Sequence, residues 1–245
     1  PMRRTAPTGR RLALLATALL AGGPAAAFVP TEAEWAGWPE YCRARYTVSG
    51  SGRDSAFVSR VATGEVDRWK ARLGPAWYAL HHHCYGLAHL ERARLAQDPA
   101  KRRYELDVAI REQQFALNRT PAENPMYAEM SNQKGLALRQ KGDIAAALEA
   151  FDASIRAHPT LPAGYQGKAL IYRDQKRYAD ARAILEEGDA RTDGESAEIN
   201  YFLGLVLVDL KDYEAARESA RKAYALGYPL PGLRDKLARA GYPLD

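Results

Sequence analysis

Small residues recur through the second half of this chain at a fixed interval. Gly135, Ala169 and Gly204 stand 34 and 35 residues apart, and Ala147, Ala181 and Ala216 repeat the same spacing. Between the two series, Ile144, Tyr178 and Tyr213 each follow a short polar break: Gly142-Asp143, Lys176-Arg177 and Lys211-Asp212. A period of this length holds two helices and two turns. Small side chains at matched positions let the two helices approach closely, and one such unit cannot bury its apolar face without a neighbour. Ala, Leu, Arg and Glu are plentiful and lose little rotamer freedom in a helix. The expectation is an all-α chain of stacked helix pairs.

The copies run from Ala128, Met130, Gly135 and Leu138 through Ala147 and Phe151 to Pro159. The next carries Tyr165, Ala169, Tyr172, Ala181 and Leu185, and the third Gly204, Leu207, Ala216, Ala220, Ala223 and Pro229. With a small residue in the first helix, an alanine in the second and a closing proline, residues 126–226 resemble the tetratricopeptide repeat family. The resemblance implies a right-handed α-solenoid: an N-terminal helical extension over 28–74, a degenerate helix pair over 75–121, three repeats over 122–229, and a capping helix and tail over 230–245. The degenerate pair is expected at residues 77–95 and 102–117. There Gly86 and Ala109 lie 23 apart, where Gly135 and Ala147 lie 12 apart, so either the first helix is longer or a looped insertion intervenes. In the cap, Leu233 and Leu237 are expected inward, with Arg234, Lys236 and Arg239 outward.

The formal charge of +5 raises the question of nucleic acid, but its distribution argues otherwise. Residues 1–27 hold Arg3, Arg4, Arg10 and Arg11 and no Asp or Glu, which leaves +1 (5 − 4) on the rest. A near-neutral chain has little attraction for a phosphate backbone, so nucleic acid is set aside as a partner. The same residues read as an export signal. Basic residues precede an apolar run from Leu12 to Ala21, followed by Gly22-Gly23-Pro24 and Ala25-Ala26-Ala27, with cleavage expected after Ala27. The run is about half the roughly 20 residues that a membrane-spanning helix needs, so no transmembrane anchor is expected after cleavage. Pro1 before Met2 reads as a residue of an upstream reading frame. The implied location is periplasmic or secreted. In that oxidising compartment Cys42 and Cys84 are a candidate disulfide that would staple the extension to the array; two buried thiols are the alternative.

Stacked helix pairs curve and line a groove with their first helices. The resemblance places three ladders there: Asn132, Gln166 and Tyr201; one turn on, Leu136, Leu170 and Leu205; then Arg139 and Arg173, with Asp209 close by. In the family's peptide-binding members amides at such positions hold a peptide backbone, apolar residues accept side chains, and cations meet acidic groups. The chemistry is sound, because an amide both donates and accepts and arginine grips a carboxylate with two N–H groups. The implied partner is another protein or a peptide, with no cofactor, in envelope assembly, secretion or export. The alternative is ordinary packed or solvated helix residues, and oligomeric state is left open.

A second candidate is the run His81-His82-His83-Cys84 with His89. His81, His82, Cys84 and His89 are candidate ligands for a metal ion or haem. Against this, adjacent helical residues point in different directions, the Cys-x-x-Cys-His and His-Glu-x-x-His motifs are missing, and a disulfide would remove Cys84. Hydrogen-bonded packing is the ordinary expectation for His82 and His89. A third reading is architectural, with self-association through the N-terminal aromatics. No nucleophile elbow, phosphate-cradling glycine loop or organised carboxylate pair is present, so no enzyme is expected.

Overall fold

The computed structural model describes residues 28–244; the export-signal reading of residues 1–27 lies outside the described residues. Among these, twelve α-helices and no strand follow one another. Three short helices come first: α1 (Glu32–Gly37), α2 (Glu40–Tyr46) and α3 (Glu65–Leu73). Two pairs follow, α4 (Leu80–Leu95) with α5 (Pro99–Leu117) and α6 (Pro125–Lys141) with α7 (Ile144–Ala157). Then come α8 (Pro162–Asp174) with α9 (Tyr178–Arg191), α10 (Ala197–Asp209) with α11 (Tyr213–Ala225), and the closing helix α12 (Gly232–Arg239).

One turn is reused in the last three pairs. Gly142, Lys176 and Lys211 take left-handed φ values of 94°, 59° and 63°. The following N–H then reaches back into the first helix: Asp143 to the Leu138 carbonyl at 2.9 Å, Arg177 to Tyr172 at 2.8 Å, and Asp212 to Leu207 at 2.9 Å. These bonds satisfy carbonyls that a helix end leaves open. A lysine in this conformation costs about 1–2 kcal/mol relative to its right-handed form, so the bonded turn holds Lys176 and Lys211 there. Ile144, Tyr178 and Tyr213 then open α7, α9 and α11, as the spacing predicts.

Helix starts are capped as their sequences dictate. Asp98 accepts from the N–H groups of Ala100 and Lys101 ahead of α5, and Ser196 accepts from Ile199 in α10. Asn124 caps α6 through Met126, and its amide nitrogen donates to the Leu73 carbonyl at 2.9 Å, tying the repeats to the end of α3.

The small residues mark close approaches. A Cβ on Gly135 would come within 2.6 Å of the Phe151 ring. In the second copy Ala169 is buried, yet the closest approach to the preceding unit is made by Gly167, against the same Phe151 ring. That ring is thereby wedged between α6 and α8. The wide interval between Gly86 and Ala109 comes neither from a longer first helix, since α4 has 16 residues against 17 in α6, nor from a looped insertion. Gly86 lies early in α4 and Ala109 deep in the 19-residue α5, with Gly86 set against Gln113.

The N-terminal aromatics face inward. Trp35, Trp38, Tyr46, Phe57 and Trp77 share one buried cluster, with Trp35 stacked on Phe57 at 4.4 Å. The side chains that self-association would need are therefore turned into the array. Cys42 and Cys84 are bonded, their Cα atoms 5.5 Å apart, which fixes α2 to α4. At the other end Leu233 and Leu237 of α12 are fully buried, while Arg234, Lys236 and Arg239 are exposed.

Candidate peptide-docking face

The structure divides the eight predicted groove residues into two sets. Arg139 donates to Asp174 at 2.5 Å and Arg173 to Asp209 at 2.6 Å, each pair linking one first helix to the next. Each charge expected to meet an acidic partner is thus paired within the array, from one repeat to the next. Tyr201 is buried and stacks on Tyr228 at 4.0 Å. Burial pushes its phenol pKa up. Leu205 belongs to the apolar cluster of Leu233 and Leu237. The chain's own C-terminal segment thus covers the last rungs. Asn132 is buried, and its Oδ1 has no hydrogen-bond partner among the described residues. Leu136, Gln166 and Leu170 are half-buried. These four remain as candidate docking positions.

Beside them lies a cavity of about 920 Å³ that the sequence does not announce. Glu34 and Trp38 come from the extension, Leu87, Arg92 and Leu95 from α4, and Glu129 and Gln133 from α6. Glu129, Gln133 and Leu136 recur at i, i+4 and i+7 on one face of α6, so the cavity wall and the leucine ladder share that face. The polar groups are internally matched. Glu34 accepts from Arg92 Nε at 2.5 Å and Nη2 at 2.9 Å. Burial raises the Glu34 carboxyl, but bonds from Arg92 and Thr31 outweigh it and hold its pKa below the ordinary value. Glu129 behaves alike: burial raises it, and His83 together with the Tyr41 hydroxyl, donating at 2.5 Å, lowers it further. The signal for this arrangement is weak in sequence. Thr31-x-x-Glu34 marks a capped helix start, but nothing in it says that Glu34 meets Arg92, 58 residues away.

The histidine run diverges. His82 Nδ1 lies 2.6 Å from Glu112, His89 Nδ1 2.5 Å from Glu105, and His81 Nδ1 3.0 Å from the Arg45 guanidinium. His83 is fully buried, its Nδ1 2.8 Å from Gln113 Oε1, while the Gln113 amide nitrogen donates to the His83 carbonyl at 3.2 Å. That second bond fixes the amide, so its oxygen faces the ring and accepts from His83 Nδ1. Cys84 is in the disulfide. Among the described residues no three His, Cys, Asp or Glu side chains are grouped to hold a metal ion. The side chains of His81, His82, Cys84 and His89 thus meet four separate partners.

One consequence is measurable. Burial, the Arg45 charge and His82 push His81 down to about 4 from an ordinary 6.5. Between those pH values the unfolded chain binds a proton that the folded one refuses, so stability falls as pH drops from 6.5 toward 4. The ring is partly exposed, and solvent screens the effect. His81→Gln is expected to flatten the dependence of the urea midpoint on pH in this window; an unchanged slope would assign it to another group.

The family model of the tetratricopeptide repeat matches residues 105–162 and 167–229, from within α5 to just beyond α11. These residues are tetratricopeptide repeats. No curated protein matches the chain. Similar solved structures include MamA 41-end from Desulfovibrio magneticus RS-1, 22% identical, and the MamA RS-1 ArsTM double mutant, 21% identical. Each match covers 63% of this chain and 82% of the other, with a TM-score of 0.44. Tetratricopeptide arrays are in general scaffolds for protein–protein interaction rather than enzymes. Here the repeats supply Asn132, Leu136, Gln166 and Leu170, whereas α4 and the extension, which precede the matched residues, complete the cavity.

Proposed function

We propose that the chain is a periplasmic scaffold that holds an extended segment of a partner protein. Asn132 and Gln166 meet the segment's backbone, Leu136 and Leu170 its apolar side chains, and the cavity takes one larger apolar anchor. The observation that carries this reading is the shared face of α6, where Glu129 and Gln133 of the cavity wall continue into Leu136. The cavity's size falls within the roughly 300–1,000 Å³ of ordinary ligand pockets. A peptide N–H bonded to the Asn132 oxygen relieves a buried unsatisfied acceptor, a penalty of about 1–3 kcal/mol. The basic-then-apolar pattern of residues 1–27 supports export, and a buried disulfide suits an oxidising compartment. Envelope assembly, secretion or export is the class of process this implies.

Selection of displayed peptides on the purified protein tests the site. Enriched peptides are expected to share one large apolar residue, and Gln166→Ala with Leu170→Glu to weaken them about tenfold or more, with the thermal melt unchanged. Equal affinity for parent and variant would sink the reading. Location is tested separately, by fusing residues 1–27 to a phosphatase that is active only after export. An inactive fusion removes the periplasm from the proposal.

A further inference from the structure

Helix α5 separates its charges. Its acids turn to neighbouring helices: Glu105 meets His89 at 2.5 Å, Asp107 meets Lys141 at 2.7 Å and Glu112 meets His82 at 2.6 Å. Its cations Lys101, Arg102, Arg103 and Arg111 are exposed, and none forms an ion pair among the described residues. Elsewhere pairing is common, as in Arg60–Glu32, Arg92–Glu34 and Arg182–Glu186. Two large aromatics share the outer surface, Tyr104 at 61% and Phe115 at 36% exposure. Tyr104, Arg111 and Phe115 stand at i, i+7 and i+11, one stripe about 16 Å long at the helical rise. The Phe115 ring lies between His82, 3.7 Å away, and the Arg119 guanidinium, 3.5 Å away.

We infer that the outer face of α5 is a second docking surface, for an acidic segment of a partner protein that also carries apolar side chains. Guanidinium groups grip carboxylates with paired N–H donors, and Arg beside Tyr or Phe is the residue mix that anchors protein interfaces. Clamping of Phe115 fixes an anchor before the partner arrives, which lowers the ordering cost of binding. A protein is favoured over a lipid surface because the clamped ring does not project as a free apolar wedge. The formal charge of +1 outside residues 1–27 also gives no broad attraction to an anionic plane. This surface does not rest on the groove reading. Lys101 borders the cavity as well and is left out of the test.

The probe is a dye-labelled peptide of glutamate with leucine at every fourth residue, followed by anisotropy on the full chain. Arg111→Glu is expected to weaken it about tenfold or more; Lys236→Glu, an exposed charge on α12, is expected to leave it unchanged. If Arg111→Glu shifts the melting temperature, Arg111→Ala gives the same reading with less disturbance. Equal binding by parent and α5 variants overturns the inference. Phosphatidylglycerol vesicles are the third arm. Vesicle binding that needs Arg111, with no peptide binding, replaces the protein partner with a lipid surface.

Discussion

A Cys42→Ser/Cys84→Ser protein is expected to lose about 4 kcal/mol of stability, from the chain entropy of an opened loop whose ends lie 42 residues apart. Both sulfurs are almost wholly buried, so serine hydroxyls left without partners add to the loss. The damage is expected to be local. Repeat proteins contact mainly their neighbours, and the buried cluster of the extension shares no residue with the cluster around Tyr165, Leu185 and Leu233. The chain carries its own reporter for this. All four tryptophans, Trp35, Trp38, Trp69 and Trp77, lie in or beside the extension, so their fluorescence follows that end alone while far-ultraviolet circular dichroism follows every helix. In urea, the fluorescence midpoint of the serine protein should fall well below its dichroism midpoint. Midpoints that fall together would mean one cooperative unit, and midpoints that do not move would remove the bond from the stability account. Because the bond fixes α2 to α4 and the α1–α2 turn supplies Trp38 to the cavity, apolar peptides should also be lost on reduction.

The repeat was legible because its spacing, small residues and turns all point to one architecture. The turns at Gly142, Lys176 and Lys211 align in sequence, and the structure gives them one conformation. The groove was less legible. Arg139 and Arg173 sit on the expected ladder, but their partners Asp174 and Asp209 lie 35 and 36 residues on, one repeat away. The period could have flagged those pairs, since a cation and an acid one repeat apart are neighbours in a stack. Tyr201 and Leu205 could not have been reassigned that way. Their covering comes from the segment after α11, where no repeat continues. The cavity is the hardest case, because it depends on the short helix α1 meeting α4 through Glu34 and Arg92, and no periodicity encodes that meeting.

Phe151→Ala is expected to destabilise the chain by about 3–5 kcal/mol, the usual range for removing a buried phenyl ring. The ring is fully buried, and its two sides rest on Gly135 of its own pair and Gly167 of the next. Gly167→Ala is expected to cost about 1–3 kcal/mol by overpacking against that ring. The two changes should not add. With the ring gone, the alanine methyl enters vacated space, so the double variant should be more stable than the sum of the singles predicts by about 1–3 kcal/mol. Strict additivity would mean that ring and glycine are not in contact. The contrast with the disulfide is the stronger test of the architecture. A break at Phe151 lies between α6 and α8, away from every tryptophan, so dichroism should record the loss of the later repeats while the fluorescence midpoint stays near its parent value. Opposite orders of the two signals in the two variants are what a linear array requires, and a single shared order in both would show that its ends are coupled.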